Sequence, residues 1–357
     1  MREAWRYASV LSPRPAVLRM APYSPPSSGR AGKLRLDFNE NTVGASPRVV
    51  EAITRYLTAD ALTVYPEYQE TKPALARFFG VSPDEFIITN GTDEAIQVLV
   101  NTYVDDGDEV IILHPSYAMY KFYSEVAGAA VRELRYRPAD LAFPLEELIA
   151  AVTAKTRAIL ISNPNNPTGT GIGLAEIEQI LAAAPDAAVL IDEAYYEFSR
   201  VTALPLIPRY SNLFVSRTFS KVYGMAALRV GCLFSQRENV TYMHKAQSPY
   251  SVNMLAAVAA RAAVEDRESV ERYVEQVLAA REQCYRGLER MGVPYFQSQA
   301  NFVLFRIGPR SIEIRDKLRE RGVLVRDRSY EIEGCVRVTI GTPEQVARFL
   351  AELETLL

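Results

Sequence analysis

Short apolar runs recur along the first two thirds of the chain, each separated from the next by a longer stretch of mixed polarity. The runs F-I-I-T (86–89), E-V-I-I-L-H (109–114), A-I-L-I-S (158–162), A-A-V-L-I-D (187–192), L-F-V-S-R (213–217) and R-V-G-C-L-F (229–234) read as strands. Their apolar residues sit at consecutive rather than alternating positions, as in strands covered on both faces. A helix is predicted from Thr92 to about Tyr103. Strands alternating with helices indicate an α/β fold whose sheet is mostly parallel and lies between helices. After about residue 250 the pattern changes. A-A-V-A-A-R-A-A-V (256–264) and 267–291 read as helices, followed by strands at 301–306, 323–326 and 335–340, a helix near 311–321 and a last helix from about 343. This predicts a smaller α+β domain over 251–357 beside a large domain over 34–250, with 34–45 as a candidate to join the smaller one. Residues 1–33, rich in Pro, Ser and Arg, read as an extended arm along a surface or a partner subunit.

Composition narrows the chemistry. The 357 residues are 48% hydrophobic and 23% charged, with a net charge of −3. That is an ordinary soluble enzyme, with no basic footprint for nucleic acid. The three cysteines, Cys232, Cys284 and Cys335, have apolar neighbours and read as buried free thiols. Only two histidines occur, His114 and His244, which argues against a histidine-based metal site or a Ser-His-Asp triad. Acid–base work near neutral pH then falls to a perturbed lysine, tyrosine or carboxylate. No apolar run reaches the length of about 18 residues that a membrane helix needs. The N-terminus has no signal-peptide core, so a cytoplasmic enzyme is expected.

Function in an open α/β sheet collects where strands end. After F-I-I-T, Gly91 permits a tight turn, and Thr92 and Asp93 start a helix whose free N–H groups suit an anion or are simply capped. After A-I-L-I-S comes the turn-dense N-P-N-N-P-T-G (163–169), from which Asn166 can project an amide or which can be a bare turn. After A-A-V-L-I, Asp192 ends a buried strand and needs a cationic partner unless it is solvated, with Tyr195 three residues on. After L-F-V-S-R come Thr218, Ser220, Lys221 and, eight residues beyond the lysine, Arg229. Hydroxyls, an arginine and a helix N-terminus suit a phosphate. A buried carboxylate suits a protonated pyridine nitrogen, an amide and a phenol suit a phenolate, and a lysine suits an aldehyde. Together they describe a site for pyridoxal phosphate.

The motifs N-E-N (39–41), V-Y-P-E-Y-Q (64–69), N-G-T-D-E-A-I (90–96), H-P-S-Y-A-M-Y (114–120), N-P-N-N-P-T-G, D-E-A-Y-Y-E-F (192–198), T-F-S-K with L-R-V-G, Q-A-N-F-V-L (299–304), L-V-R-D (324–327) and C-V-R-V-T-I-G-T (335–342) span nearly the whole chain. In this order the chain resembles the class I and II (fold type I) aminotransferases, and within them the branch that acts on histidinol phosphate. The resemblance implies that Lys221 carries the cofactor and moves the proton, and that Asp192 meets the ring nitrogen. Asn166 and Tyr195 would meet the ring oxygen, and Tyr117 would stack on the ring. Gly91, Thr92, Asp93, Thr218, Ser220 and Arg229 would hold the phosphate, joined by Tyr65 from the other subunit of a homodimer with composite sites. For substrate it implies Arg326 and Arg337 as anion holders, helped by Tyr23, Tyr250 and Asn301. The implied reaction takes an amino group from L-histidinol phosphate to 2-oxoglutarate. An aromatic-amino-acid aminotransferase, or a lyase resembling threonine-phosphate decarboxylases, would keep the same cofactor residues. Ala227 stands where the family commonly has glycine just before L-R.

Overall fold

A computed structural model describes residues 11–22 and 28–357. Thirteen strands occur among them: Leu34–Arg35 (β1), Phe86–Thr89 (β2), Glu109–His114 (β3), Ala130–Arg135 (β4), Thr156–Ser162 (β5), Ala188–Asp192 (β6), Leu213–Thr218 (β7), Gly231–Phe234 (β8), Tyr295–Phe296 (β9), Phe302–Arg306 (β10), Val323–Leu324 (β11), Arg326–Asp327 (β12) and Cys335–Thr339 (β13). Seven form the main sheet in the order β2-β8-β7-β6-β5-β3-β4. Its pairings are parallel except those of β8, which runs against both β2 and β7. Every residue of β6 and β7 is buried, the apolar runs Ala188–Ile191 and Leu213–Val215 and the polar strand ends that follow them alike. Two apolar clusters lie on the two faces. One holds Ile159, Ile161, Val189, Ile191 and Val215; the other holds Ala158, Leu160, Ala188, Leu190 and Phe214. The parity of these residues along each strand is the period-2 geometry of a sheet.

A second, antiparallel sheet has the order β12-β13-β10-β9. The chain reaches it through helices Met254–Glu265 and Arg267–Arg290. The first packs against helices Pro47–Tyr56 and Thr71–Phe79, and Thr71 Oγ1 donates to the Ala257 carbonyl at 3.2 Å. Strand β1 lies parallel to β11, so the segment after residue 34 is tied to the C-terminal region. The expected single strand over 323–326 is two strands. Val323 and Leu324 pair with β1, whereas Arg326 pairs with Arg337 of β13. The break changes partners at Val325 and brings Arg326 beside Arg337. The arm is not wholly extended: Pro15–Arg19 is a short helix, with proline at its first turn where a missing N–H is harmless. Tyr23 lies outside the described residues. All three cysteines are buried and free. No helix among the described residues is long and apolar enough to cross a membrane.

Candidate active site

The C-terminal ends of β2, β3, β5, β6 and β7 converge on one side of the main sheet, and the small sheet's β12–β13 edge faces them. Between them lies a cavity of about 460 Å³, within the range of small-molecule sites. Asp192 and Tyr195 come from the end of β6, Asn166 from the turn after β5, and Thr218, Ser220 and Lys221 from the end of β7. Tyr117 follows β3, and Thr92 and Asp93 open the helix Gly91–Tyr103 after β2. All line the cavity, with Arg229, Arg326 and Arg337.

Asp192 is 3% exposed. Among the described residues no cationic side chain pairs with it. Instead the Tyr120 hydroxyl donates to Oδ2 at 2.7 Å and the Ser216 hydroxyl donates to Oδ1 at 2.8 Å. Burial pushes the carboxyl up to about 6 against those two hydrogen bonds. Lys221 Nζ donates to the Phe38 carbonyl at 3.1 Å. Burial, with the neighbouring Arg337 charge, brings its ammonium down to about 8. The Tyr195 hydroxyl accepts from Asn39 Nδ2 at 3.0 Å, so its own proton remains free to donate. Asn39 is fixed by Thr339, whose hydroxyl donates to its Oδ1 at 3.1 Å, and by Asn301, whose Nδ2 donates to its carbonyl at 3.2 Å. Asn301 therefore stands behind the cavity wall rather than in it.

At the mouth of β2 the Tyr117 hydroxyl donates to Asp93 Oδ1 at 2.6 Å, while Arg229 Nη2 reaches Asp93 Oδ2 at 3.2 Å. Burial and the Asp93 carboxylate raise the Tyr117 phenol far above its ordinary range. Arg229 Nη1 also lies 3.4 Å from Ser220 Oγ. Gly91 has φ +73, and a Cβ there would meet Arg229 Nη2 at 2.5 Å. The glycine is what lets the guanidinium lie over the helix start without lining the cavity itself. The Thr92 hydroxyl, buried at that helix N-terminus, has no hydrogen-bond partner. Ala227 sits exposed in the 3-10 turn Ala226–Leu228 with a negative φ, so the backbone there needs no glycine.

On the small-sheet side Arg337 is 4% exposed. It donates through Nη1 to Asn166 Oδ1 and through Nη2 to the Asp37 carbonyl at 2.6 Å, while its Nε is unpartnered. Burial and the Arg328 and Arg326 charges bring it down to about 9, still a cation at neutral pH. Arg326 lies over the Phe38 ring at 5.5 Å, with a buried, unpartnered Nη1. Tyr65 and Tyr250 lie outside the cavity, exposed and packed against each other with ring centroids 4.8 Å apart and planes tilted by 35°. Phe38, Asn39, Tyr120, Ser216 and Arg328 were not singled out from the sequence. A signal existed for Tyr120, one helical turn after Tyr117, and for Ser216, in register with Asp192.

The class I and II aminotransferase family model matches residues 31–353. A histidinol-phosphate aminotransferase of Symbiobacterium thermophilum is 37% identical over 97% of this chain and 99% of its own length. Two solved structures share the fold. One is a Sinorhizobium meliloti histidinol-phosphate aminotransferase in complex with pyridoxal-5'-phosphate, with TM-score 0.87 and 24% identity over 98% of this chain and 100% of that one. The other is a Thermus thermophilus aspartate aminotransferase with maleate, with TM-score 0.80 and 26% identity over 91% and 92%. With the family matched along nearly its whole length, this chain belongs to the class I and II aminotransferases, a family of pyridoxal-phosphate-dependent enzymes.

Proposed function

We propose that this aminotransferase holds pyridoxal phosphate at Lys221 and transfers the amino group of L-histidinol phosphate to 2-oxoglutarate, yielding imidazole acetol phosphate and glutamate. One observation carries the reading. A neutralisable lysine and a buried carboxylate without a cation face a wall of arginines across a single cavity. The names of the relatives agree with it.

The residues fit the cofactor. Asp192 is a buried acceptor held by two hydroxyls, and a protonated ring nitrogen would be the cation it lacks. Asn166 gives its carbonyl oxygen to Arg337, which leaves its amide N–H groups to donate, and Tyr195 keeps its proton to donate. Both would meet the ring oxygen, with Tyr117 against the ring. The unpartnered Thr92 hydroxyl, the N–H groups of the helix at Gly91–Asp93, Thr218, Ser220 and Arg229 would hold the phosphate. Tyr65 would join them from the partner of a homodimer. When bound, pyridoxal phosphate supplies an aldehyde that captures the donor amine and a ring that draws electrons from the breaking C–H bond.

Lys221 then moves the proton. With its ammonium near 8, a sizeable fraction of Nζ is a free amine at physiological pH and can take a proton from the donor carbon. Arg337, cationic and adjoining Asn166, orients an anionic part of the substrate at the reacting end. Arg326 offers its free Nη1 further along the wall.

Lys221→Ala tests the assignment. The variant is expected to lose turnover by several orders of magnitude and to yield no borohydride-stable adduct with the cofactor. Near-normal turnover by Lys221→Ala would remove the lysine from the mechanism. Rapid use of phenylalanine or tyrosine, with none of L-histidinol phosphate, would keep the cofactor and reject the donor.

A further inference from the structure

Arg328 is 7% exposed and lines the same cavity as Arg326 and Arg337. Its backbone continues the β12–β13 ladder: Arg328 N donates to the Cys335 carbonyl at 3.0 Å. Residues two apart on a strand point to one face. Arg326 and Arg328 therefore share a face, and Arg326 is directly opposite Arg337. Three guanidiniums gather there, and Glu331 is the carboxylate among them. It reaches Arg328 Nη2 at 2.5 Å, and Arg328 Nη1 donates to the Tyr330 hydroxyl at 3.0 Å. Arg328 Nε and Arg326 Nη1 are both buried without partners. The wall thus carries three cations against one anion, and each guanidinium keeps one buried nitrogen without a partner: Arg326 Nη1, Arg328 Nε and Arg337 Nε. Arg337 already engages both terminal nitrogens, with Asn166 and Asp37, and keeps only its Nε, so most of the free capacity lies at Arg326 and Arg328.

We propose that Arg328 is a specificity-determining residue that, with Arg326, receives the doubly charged phosphate at the far end of the substrate, and that Glu331 holds this guanidinium in place and competes with the phosphate for it. The inference rests on the proposed donor. It adds a third arginine and a restraining carboxylate to the Arg326 and Arg337 pair legible in the sequence. A dianion fits two cations where a monoanion would leave one uncompensated. Planar guanidiniums suit phosphate oxygens better than a point charge does.

Three variants of the holoenzyme, whose cofactor phosphate site is filled, test this: Arg328→Gln, Glu331→Gln, and the double variant, which removes both buried charges together. The readout is kcat/KM for L-histidinol phosphate divided by that for unphosphorylated L-histidinol. Arg328→Gln and the double variant are expected to lower this ratio by about 10- to 100-fold, mainly through KM, as for a lost charge-assisted contact. Glu331→Gln is expected to raise the ratio, a sign that a merely structural ion pair would not give. An unchanged ratio in both Arg328 variants overturns the proposal. Inorganic phosphate separates this failure from failure of the donor assignment. If the wild type ignores L-histidinol phosphate but phosphate raises the Tm of the wild type and not of Arg328→Gln, the anion site stands without that donor. Equal protection of both proteins overturns the site.

Discussion

Two side chains carry opposite costs at the residue scale. Asp192 is a carboxyl raised to about 6 in the fold from an ordinary 3.8. A raised acid stabilises the protein only at low pH, and that contribution is lost as pH climbs through about 6. In the apoprotein at pH 8, Asp192→Asn should therefore gain roughly 2–3 kcal/mol at most, read as a higher Tm, while losing nearly all transaminase activity. A lower Tm for the variant at pH 8 would contradict the unpaired-charge reading. Lys221 is lowered to about 8, so the rate at which the apoprotein captures pyridoxal phosphate should level off just above pH 8. A rate still climbing steeply at pH 10 would mean an ordinary lysine. Lys221, Asp192 and Tyr195 were legible in the sequence because each ends or follows a strand that the apolar runs revealed. The role of Asn39 and the inward face of Arg328 were not. Asn39 reaches Tyr195 from a distant segment in the left-handed conformation, at φ +56. Arg328 reads as one more charge in a polar loop until the β12–β13 ladder turns it inward.

At the scale of elements, strands buried on both faces announced themselves, the edge strand β2 included, and the exposed edge strand β4 did not. The runs at 86–89, 109–114 and 213–217 correspond to β2, β3 and β7, because strands covered on both faces must be apolar throughout. Strand β4, Ala130–Arg135, was missed. It is one edge of the sheet, and its sequence A-V-R-E-L-R mixes three charged residues with three apolar ones, none of them buried. Arg229 was placed inside a strand, but β8 starts at Gly231, and Arg229 takes the left-handed conformation just before it. That turn carries its guanidinium to the start of the helix at Gly91. Gly91→Ala should therefore weaken cofactor binding by about tenfold or more, since both the positive φ and the 2.5 Å approach to Arg229 resist a Cβ. Titration of the apoprotein with pyridoxal phosphate checks this, and unchanged affinity would show that Arg229 can sit elsewhere.

At the scale of the whole molecule, the site belongs to both sheets. The main sheet supplies the lysine, the carboxylate and Arg229, and the small sheet's side supplies Arg326, Arg328 and Arg337. The segment from Asp37 to Asn41 joins them. Asp37 accepts from Arg337, Phe38 from Lys221, and Asn41 Nδ2 donates to the Val222 carbonyl at 2.8 Å. The N-E-N motif was legible as a signature, but its bridging role depends on packing between segments far apart in sequence. Leu62, Val64 and Tyr65 are 66%, 61% and 74% exposed, together with Tyr250. Such a patch suits burial against a second copy. If Tyr65 serves the neighbouring site, mixing Lys221→Ala with Tyr65→Ala should give more activity than the two variants have separately. Activity no greater than their sum would place Tyr65 outside the partner's site.

The central claim is that this cavity joins cofactor chemistry to a phosphate-bearing amine. It is tested most directly by one half-reaction: purified holoenzyme mixed with L-histidinol phosphate, without any keto acid, while the absorption of the bound cofactor is followed. The account predicts conversion of bound pyridoxal phosphate to pyridoxamine phosphate, reversed by adding 2-oxoglutarate. A cofactor spectrum unchanged by L-histidinol phosphate, yet converted by an unphosphorylated aromatic amino acid, would contradict it.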